Sequence, residues 1–321
     1  MTAARPSTAT WEPDAALPGF AAQTLTFPAD YDGPATATLV RRPAPAPAGR
    51  AVLYIHGFID YFFQAHLAEA YNAHGFSFYA LDLRKHGRSL RDGQHPNFCK
   101  DLREYFAEID AAIAIIRAEA GTARLLLNGH STGGLTAALY AQEGARRSEI
   151  AAVFLNSPFL DLNVDAATRA ATPLICAVGR AAPFLKVGAI APLYAQSIHR
   201  SYHGAWDFDL RWKPIAGFPA YAGWTRAIVG GQRQAQAGLR IPQPILLMHS
   251  ARSGGGKAWN ESFTNSDCVL NVAHMKRFGP GLGDHVTLIG VEGGLHDLCL
   301  SAAPPREQMF GKLFAWVDTT L

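Results

Sequence analysis

The chain has 321 residues, 49% hydrophobic and 17% charged, a balance that supports one large core and argues against disorder. A formal net charge of +3, with no dense run of Lys or Arg, excludes a surface built to track phosphates along nucleic acid. The four cysteines, Cys99, Cys176, Cys268 and Cys299, are scattered without the close pairing of a zinc or redox motif and read as free thiols.

In chain order, the first thirty residues are broken by prolines and acids and hold no continuous apolar region of the leader type. No later stretch is long and apolar enough to span a bilayer, so the expectation is a soluble cytoplasmic protein without stable membrane anchoring. The segment RRPAPAPAGR (41–50) reads as a stiff surface connection between an N-terminal strand region and the core. Beyond it, apolar runs at 51–56, 76–83, 124–130, 151–157, 244–250 and 285–291 predict strands buried on both faces. Amphipathic patterns at 64–75, 99–121 and 135–145 predict helices between them. Strand and helix in that rhythm give an α/β fold with a mostly parallel central sheet flanked by helices.

The rhythm fails between about 160 and 240, where no clear strand is visible but Tyr194, Tyr202, Trp206, Trp212, Tyr221 and Trp224 gather. Two readings stand: an insertion above the carboxyl ends of the strands, or a second small aromatic core. On the first reading the chain divides into a core of residues 1–160 and 241–321 and an inserted cap of residues 161–240.

Ligands of open parallel sheets bind beyond the carboxyl ends of the strands. At one such end lies LLLNGHSTGG (125–134), with Ser131 between Gly129 and Gly133. A G-x-S-x-G turn holds serine in strained geometry, and the residues two before and two after it lack a Cβ so that strand and helix can approach. A serine hydroxyl needs a base and a group to orient that base. Of 12 histidines, His296 follows the predicted strand 285–291 directly, in a loop loosened by Gly293 and Gly294. The orienting acid belongs after the strand 244–250, yet residues 250–260 carry no carboxylate. Asp267 is the first choice and keeps the order Ser, Asp, His; Glu261 is the second. The amides of Phe58, in HGF after an early strand, and of Thr132 complete an oxyanion hole.

Taken together, HGF (56–58), ALDLRKHGRS (80–89), GHSTGG (129–134), LNSPFLDL (155–162) and GGLHDLCLS (293–301) resemble an α/β-hydrolase over roughly residues 35–320. The resemblance is to the monoacylglycerol lipase, lysophospholipase and serine-aminopeptidase-like branch. It implies a mobile cap over an acyl pocket. ALDLRKHGRS is similar to a structural D-x-R-G-x-G-x-S turn, with Lys85 and His86 in place of small residues. Relatives often carry the acid as G-x-x-D just after the strand, where this chain has Ser253 and a glycine run.

The expected function is cleavage of a carboxylic ester, such as a monoacylglycerol, a lysophospholipid or another small apolar or aromatic monoester, through an acyl-enzyme. Ser131 is the nucleophile, His296 the base and Asp267 its orienter, with no metal or organic cofactor required. Trp206, Trp212, Trp224, Arg226 and Arg252 are candidate substrate contacts. A binding protein that kept the fold without turnover, an acyltransferase and a peptidase remain as alternatives, and the sequence leaves the oligomeric state open.

Overall fold

The apolar runs form the strands of one nine-stranded sheet in the computed structural model, which describes residues 10–121, 123–189 and 192–321. Antiparallel strands come first: β1 (Glu12–Pro13), β2 (Ala21–Asp30) and β3 (Gly33–Arg42). The alternating part follows as β4 (Arg50–Ile55), α1 (Ala65–Ala73), β5 (Phe76–Asp82), α2 (Phe106–Ala120), β6 (Arg124–His130), α3 (Thr132–Glu143) and β7 (Ile150–Asn156). Next come α4 (Ala166–Ala181), β8 (Lys186–Ala189), α5 (Leu193–Ile198), β9 (Pro219–Tyr221) and α6 (Ala222–Ala237). The chain then returns through β10 (Ile245–Ser250), α7 (Val272–Phe278), β11 (Val286–Val291) and α8 (Ala303–Thr320).

The strand order is β1-β2-β3-β5-β4-β6-β7-β10-β11, and the six strands from β5 to β11 run parallel. After β4 the chain steps to β5 on one side and then crosses back to β6 on the other. That reversal opens a crevice at the carboxyl ends of β4 and β6, where a parallel sheet takes its ligand.

Because side chains alternate along a strand, the two faces of the sheet seed two cores. Leu53, Ile55, Leu125, Leu127 and Leu247 face α2, α3, α6 and α7 through Ile109, Ile113, Leu135, Ile228 and Met275. Val52, Tyr54, Leu126, Leu246 and Met248 face α1 and α8 through Leu67, Tyr71, Met309 and Leu313. Strands covered on both faces have no polar side to show, which is why they read as continuous apolar runs.

The stretch between β7 and β10 departs from expectation in two ways. It contains strands, since β8 and β9 pair antiparallel as a separate two-stranded sheet. At four and three residues, with Gly188 and Pro219 inside them, they carry no alternation to read. Its aromatics also make no core of their own. Tyr221 and Trp224 join the core on the α3 face, whereas Phe208, Trp206 and Trp212 pack on the α8 face. All four cysteines are free.

Candidate active site

The turn from β6 into α3 sets the geometry. Ser131 sits there at φ 54° and ψ −117°, a backbone conformation that costs a residue with a Cβ of order 1–3 kcal/mol. The surroundings hold it: Ser131 N–H donates to the Asn156 carbonyl at 3.0 Å, and its own carbonyl accepts from Leu135 N at 3.1 Å and Phe159 N at 3.0 Å. The flanking glycines are required by contact. A Cβ at Gly133 would lie 2.2 Å from the His56 carbonyl oxygen and 2.4 Å from that of Ile55; one at Gly129 would lie 2.5 Å from the Gly133 oxygen. All of these are backbone atoms that cannot step aside. Gly133→Ala is therefore expected to lower stability by about 3 kcal/mol or more, read as a fall in the urea midpoint at unchanged m. A midpoint equal to that of the wild type would show that the elbow tolerates separation of strand and helix.

The loop after β11 turns back at Gly293, φ 69°, and brings His296 over the elbow. Its Nε2 lies 3.0 Å from Ser131 Oγ, and its Nδ1 lies 3.0 Å from Asp267 Oδ2. Since a carboxylate only accepts, Nδ1 carries the proton and the Nε2 lone pair faces the serine hydroxyl. Leu295 N–H donates to Ser301 Oγ at 2.9 Å and fixes the loop from behind. Asp297 points away from His296: its Oδ1 accepts from Asn156 Nδ2 at 2.8 Å and its Oδ2 from Gln64 Nε2 at 3.2 Å.

Asp267 reaches this place by an excursion. The chain leaves the sheet at Ser253, loops out over residues 254–266 and returns so that Ser253 and Asp267 form a parallel bridge. Gly254 N–H donates to the Asp267 carbonyl at 2.9 Å, and Asp267 N–H to the Arg252 carbonyl at 3.1 Å. The carboxylate thus stands beside the position where the resemblance places an acid, although it lies farther along the sequence. Asp267 is fully buried and its Oδ1 accepts from Val269 N at 2.9 Å and Leu270 N at 2.7 Å. Glu261 stays on the exposed surface of the excursion, out of hydrogen-bond reach of the histidine among the described contacts.

The loop after β4 closes the other side. A Cβ on Gly57 would lie 3.0 Å from that of Ser131, so this backbone runs directly past the serine. The Phe58 amide makes no hydrogen bond among the described residues. Thr132 N–H is one of those that the first turn of a helix leaves unpaired. Asn97 braces the loop, its Oδ1 accepting from Ile59 N at 3.1 Å and its Nδ2 donating to the Lys85 carbonyl at 3.1 Å. His56 is structural, because Nε2 accepts from Leu83 N at 3.1 Å and so Nδ1 donates to the Gly57 carbonyl at 2.8 Å. The LDLRKHGRS turn is a hub of buried ion pairs, Arg88 to Asp82 and Asp14 and Lys85 to Asp30, and supplies no reacting group.

Ser131 and His296 open into a cavity of about 480 Å³, within the size range of small-molecule sites. Its walls are mostly apolar: Phe159, Leu162, Ile175, Leu193, Ile215 and Phe263 among others. Of the five candidate substrate contacts, only Trp224 lines it, its ring stacked on Phe58 at 4.0 Å. The other four are placed elsewhere. Trp206 donates to the Leu300 carbonyl and stacks on His66; Trp212 packs edge-on against Tyr61; Arg252 donates to Asn265; Arg226 lies exposed on α6. An aromatic count cannot tell a wall from a strut, and these tryptophans fasten the segment to the core.

Sequence reading missed the polar end of the cavity. Asp60, His130 and Lys213 line it beside the serine, with Lys213 Nζ 2.7 Å from Asp60 Oδ1. The pair joins residues 153 apart in sequence, a closeness that no local pattern carries. Burial lowers the His130 pKa and keeps the ring neutral. Asp60, His130 and Asp297 offer ligand atoms within 4.8 Å of one another. Lys213 on Asp60, and Asn156, Gln64 and Cys299 on Asp297, already satisfy these carboxylates, which makes the cluster a hydrogen-bond network and not a cation cage. Tyr194 of α5 accepts from Asp297 N at 3.0 Å and meets the His296 ring edge-on.

A doubly wound sheet with a serine elbow at its switch point and a histidine arriving from the loop after the last strand defines an α/β-hydrolase. Within that class, residues 46–253 match the Hydrolase_4 family, described as serine aminopeptidase, S33, and the chain belongs to it. A monoacylglycerol lipase of Mycolicibacterium smegmatis is 29% identical over 213 residues, 64% of this chain and 71% of the relative. Two solved structures share the fold. A monoacylglycerol lipase of Paleococcus ferrophilus has 21% identity and a TM-score of 0.66, over 88% of this chain and 99% of that one. A soluble variant of the Saccharomyces cerevisiae monoglyceride lipase has 16% identity and a TM-score of 0.69, over 92% and 94%. The chain is thus a hydrolase of the monoacylglycerol lipase-like branch, and no helix among the described residues is long and apolar enough to cross a membrane.

Proposed function

We propose that the protein is a serine esterase that cleaves monoesters of a long or medium acyl chain with a small hydroxylated alcohol, monoacylglycerols in the first place. The observation that carries this reading is the chain of contacts Asp267–His296–Ser131, 3.0 Å at each link, at the polar end of an otherwise apolar cavity. Residues 161–240 act as the cap: Leu193, Tyr194, Lys213 and Trp224 wall the cavity over the serine. The apolar length suits an acyl chain. Asp60, Lys213 and His130 offer acceptors and donors to hydroxyls of the alcohol, and the Mycolicibacterium relative's name points to the same class.

In the mechanism, Ser131 Oγ attacks the ester carbonyl while His296 Nε2 takes the hydroxyl proton. Asp267 accepts from Nδ1–H and stabilises the imidazolium. The Phe58 and Thr132 amides receive the negative oxygen, an interaction made only as that charge develops. The tetrahedral intermediate collapses, His296 returns its proton to the leaving alcohol, and a water activated by the same histidine cleaves the acyl-enzyme to acid and free serine.

The test is hydrolysis of p-nitrophenyl esters from acetate to laurate, followed by release of glycerol from monoacylglycerols. Turnover that rises with acyl length and falls once the cavity is filled is expected. An enzyme inert on every ester overturns the esterase reading in favour of a binding protein or a peptidase. Acyl transfer to added glycerol in preference to water would instead identify an acyltransferase.

A further inference from the structure

Among the described residues, five other than glycine have positive φ: Ile59 (50°), Lys85 (64°), Asn97 (59°), Ser131 (54°) and Ser157 (49°). A Cβ makes this conformation costly, most of all at a β-branched residue such as Ile59, and residues held in it gather at functional sites. Ser131 is the elbow itself. Ile59, Lys85 and Asn97 lie in three separate segments, yet direct hydrogen bonds join them into one strained unit. Ile59 N–H donates to Asn97 Oδ1 at 3.1 Å. Asn97 then donates twice to the Lys85 carbonyl, from its backbone N–H at 2.9 Å and from Nδ2 at 3.1 Å.

The far end of the unit is anchored. Lys85 occupies the first glycine position of the D-x-R-G-x-G-x-S turn, where glycine would take a φ of 64° freely. Its side chain is fully buried, with Nζ 2.9 Å from Asp30 Oδ2 and 3.7 Å from Asp32 Oδ2, and 4.5 Å from the centre of the Tyr31 ring. These contacts hold a backbone that a lysine would not otherwise adopt. Asn97 is 1% exposed, so the groups it pairs have no water to replace it.

The near end meets the reaction centre. Ile59 follows Phe58, whose N–H is an oxyanion donor in the proposed mechanism. His56 Nδ1 donates to the Gly57 carbonyl, which belongs to the same peptide group as that N–H. Asn97 holds the next peptide group through the Ile59 N–H, so Phe58 stands between two pinned peptide planes. Without Asn97, Ile59 relaxes toward negative φ, the Phe58–Ile59 peptide turns with it, and the Phe58 amide loses its aim at the space beside Ser131. We infer that Asn97, anchored by Lys85, is a positioning residue of the oxyanion hole. It does not line the cavity and acts only through the loop. The inference rests on the esterase reading, which assigns Phe58 to the hole.

Two readouts on the full chain test it: kcat and KM on a p-nitrophenyl ester, and the inhibition constant of butylboronic acid. The boron takes Ser131 Oγ and becomes tetrahedral with one oxygen in the hole, so the second readout needs no turnover. Asn97→Gly keeps the φ of 59° accessible and removes the side chain. A fall in kcat of about 10²-fold is expected, with KM within a few-fold and the boronate bound about 10²-fold more weakly. Asn97→Asp is expected to stay within about tenfold of the wild type, because a protonated carboxyl accepts from Ile59 and donates to Lys85 as the amide does. Thermal midpoints establish that the variants fold; if the glycine variant does not, Asn97→Ser, whose hydroxyl stops short of the Ile59 N–H, carries the same expectation. Unchanged kcat and boronate affinity in the glycine variant, a rise in KM alone, or an aspartate variant no better than the glycine one overturns the inference and leaves the esterase reading intact. A wild type that binds the boronate but cleaves no ester overturns the esterase reading, and the ratio of boronate affinities between wild type and glycine variant then decides the inference by itself. A wild type that does neither overturns both.

Discussion

Ser131→Ala is expected to lower kcat on any ester substrate by about 10⁵-fold while leaving KM within a few-fold, because in the proposed mechanism the hydroxyl it removes is the nucleophile and contributes little to ground-state binding. Alanine leaves the backbone strain in place, since it has a Cβ at the same φ of 54°. Ser131→Gly separates the two roles. It should be equally inactive, yet more stable than the alanine variant by about 1 kcal/mol, because glycine adopts this conformation freely. Burst kinetics on the wild type and thermal unfolding of both variants provide the readout. Residual turnover in either variant above a thousandth of the wild type would remove Ser131 from the chemistry.

Legibility of the site followed the locality of its physics. The elbow could be read because its pattern is local, a strand before, a helix after and glycines at 129 and 133, even though the atoms that forbid a Cβ at Gly133 are the distant carbonyls of Ile55 and His56. His296 could be placed because it follows a recognisable strand directly. The parallel sheet was equally plain, since strands buried on both faces leave continuous apolar runs. The β2–β3 hairpin was seen only as a strand region, and its pairing on to β5 lay beyond a pattern-based reading. The segment after β7 resisted for a different reason. Trp206, Trp212 and Trp224 are alike in sequence, but two brace the segment on the core and one lines the cavity. The Asp60–Lys213 pair is set by tertiary packing alone.

Asp267→Asn should be nearly as damaging as loss of the nucleophile, and the reason lies in how the carboxylate is already held. Its Oδ1 accepts two backbone N–H groups, from Val269 and Leu270, whereas Oδ2 alone faces His296 Nδ1. An asparagine must keep its carbonyl oxygen on the two amides, since turning its NH₂ group toward them would set donor against donor in a fully buried site. The NH₂ group is therefore forced toward Nδ1. The imidazole must then accept at Nδ1 and carry its proton on Nε2, the tautomer that cannot take a proton from Ser131. A fall in kcat of about 10⁴-fold is expected, with the fold intact by circular dichroism. Asp267→Ala leaves the tautomer free and should retain more activity than asparagine at high pH, a reversal of the usual severity that a merely structural aspartate would not produce. Glu261→Gln serves as the control. If it is the inactive variant while Asp267→Asn turns over normally, the excursion over residues 254–266 reorganises during catalysis to deliver the other carboxylate.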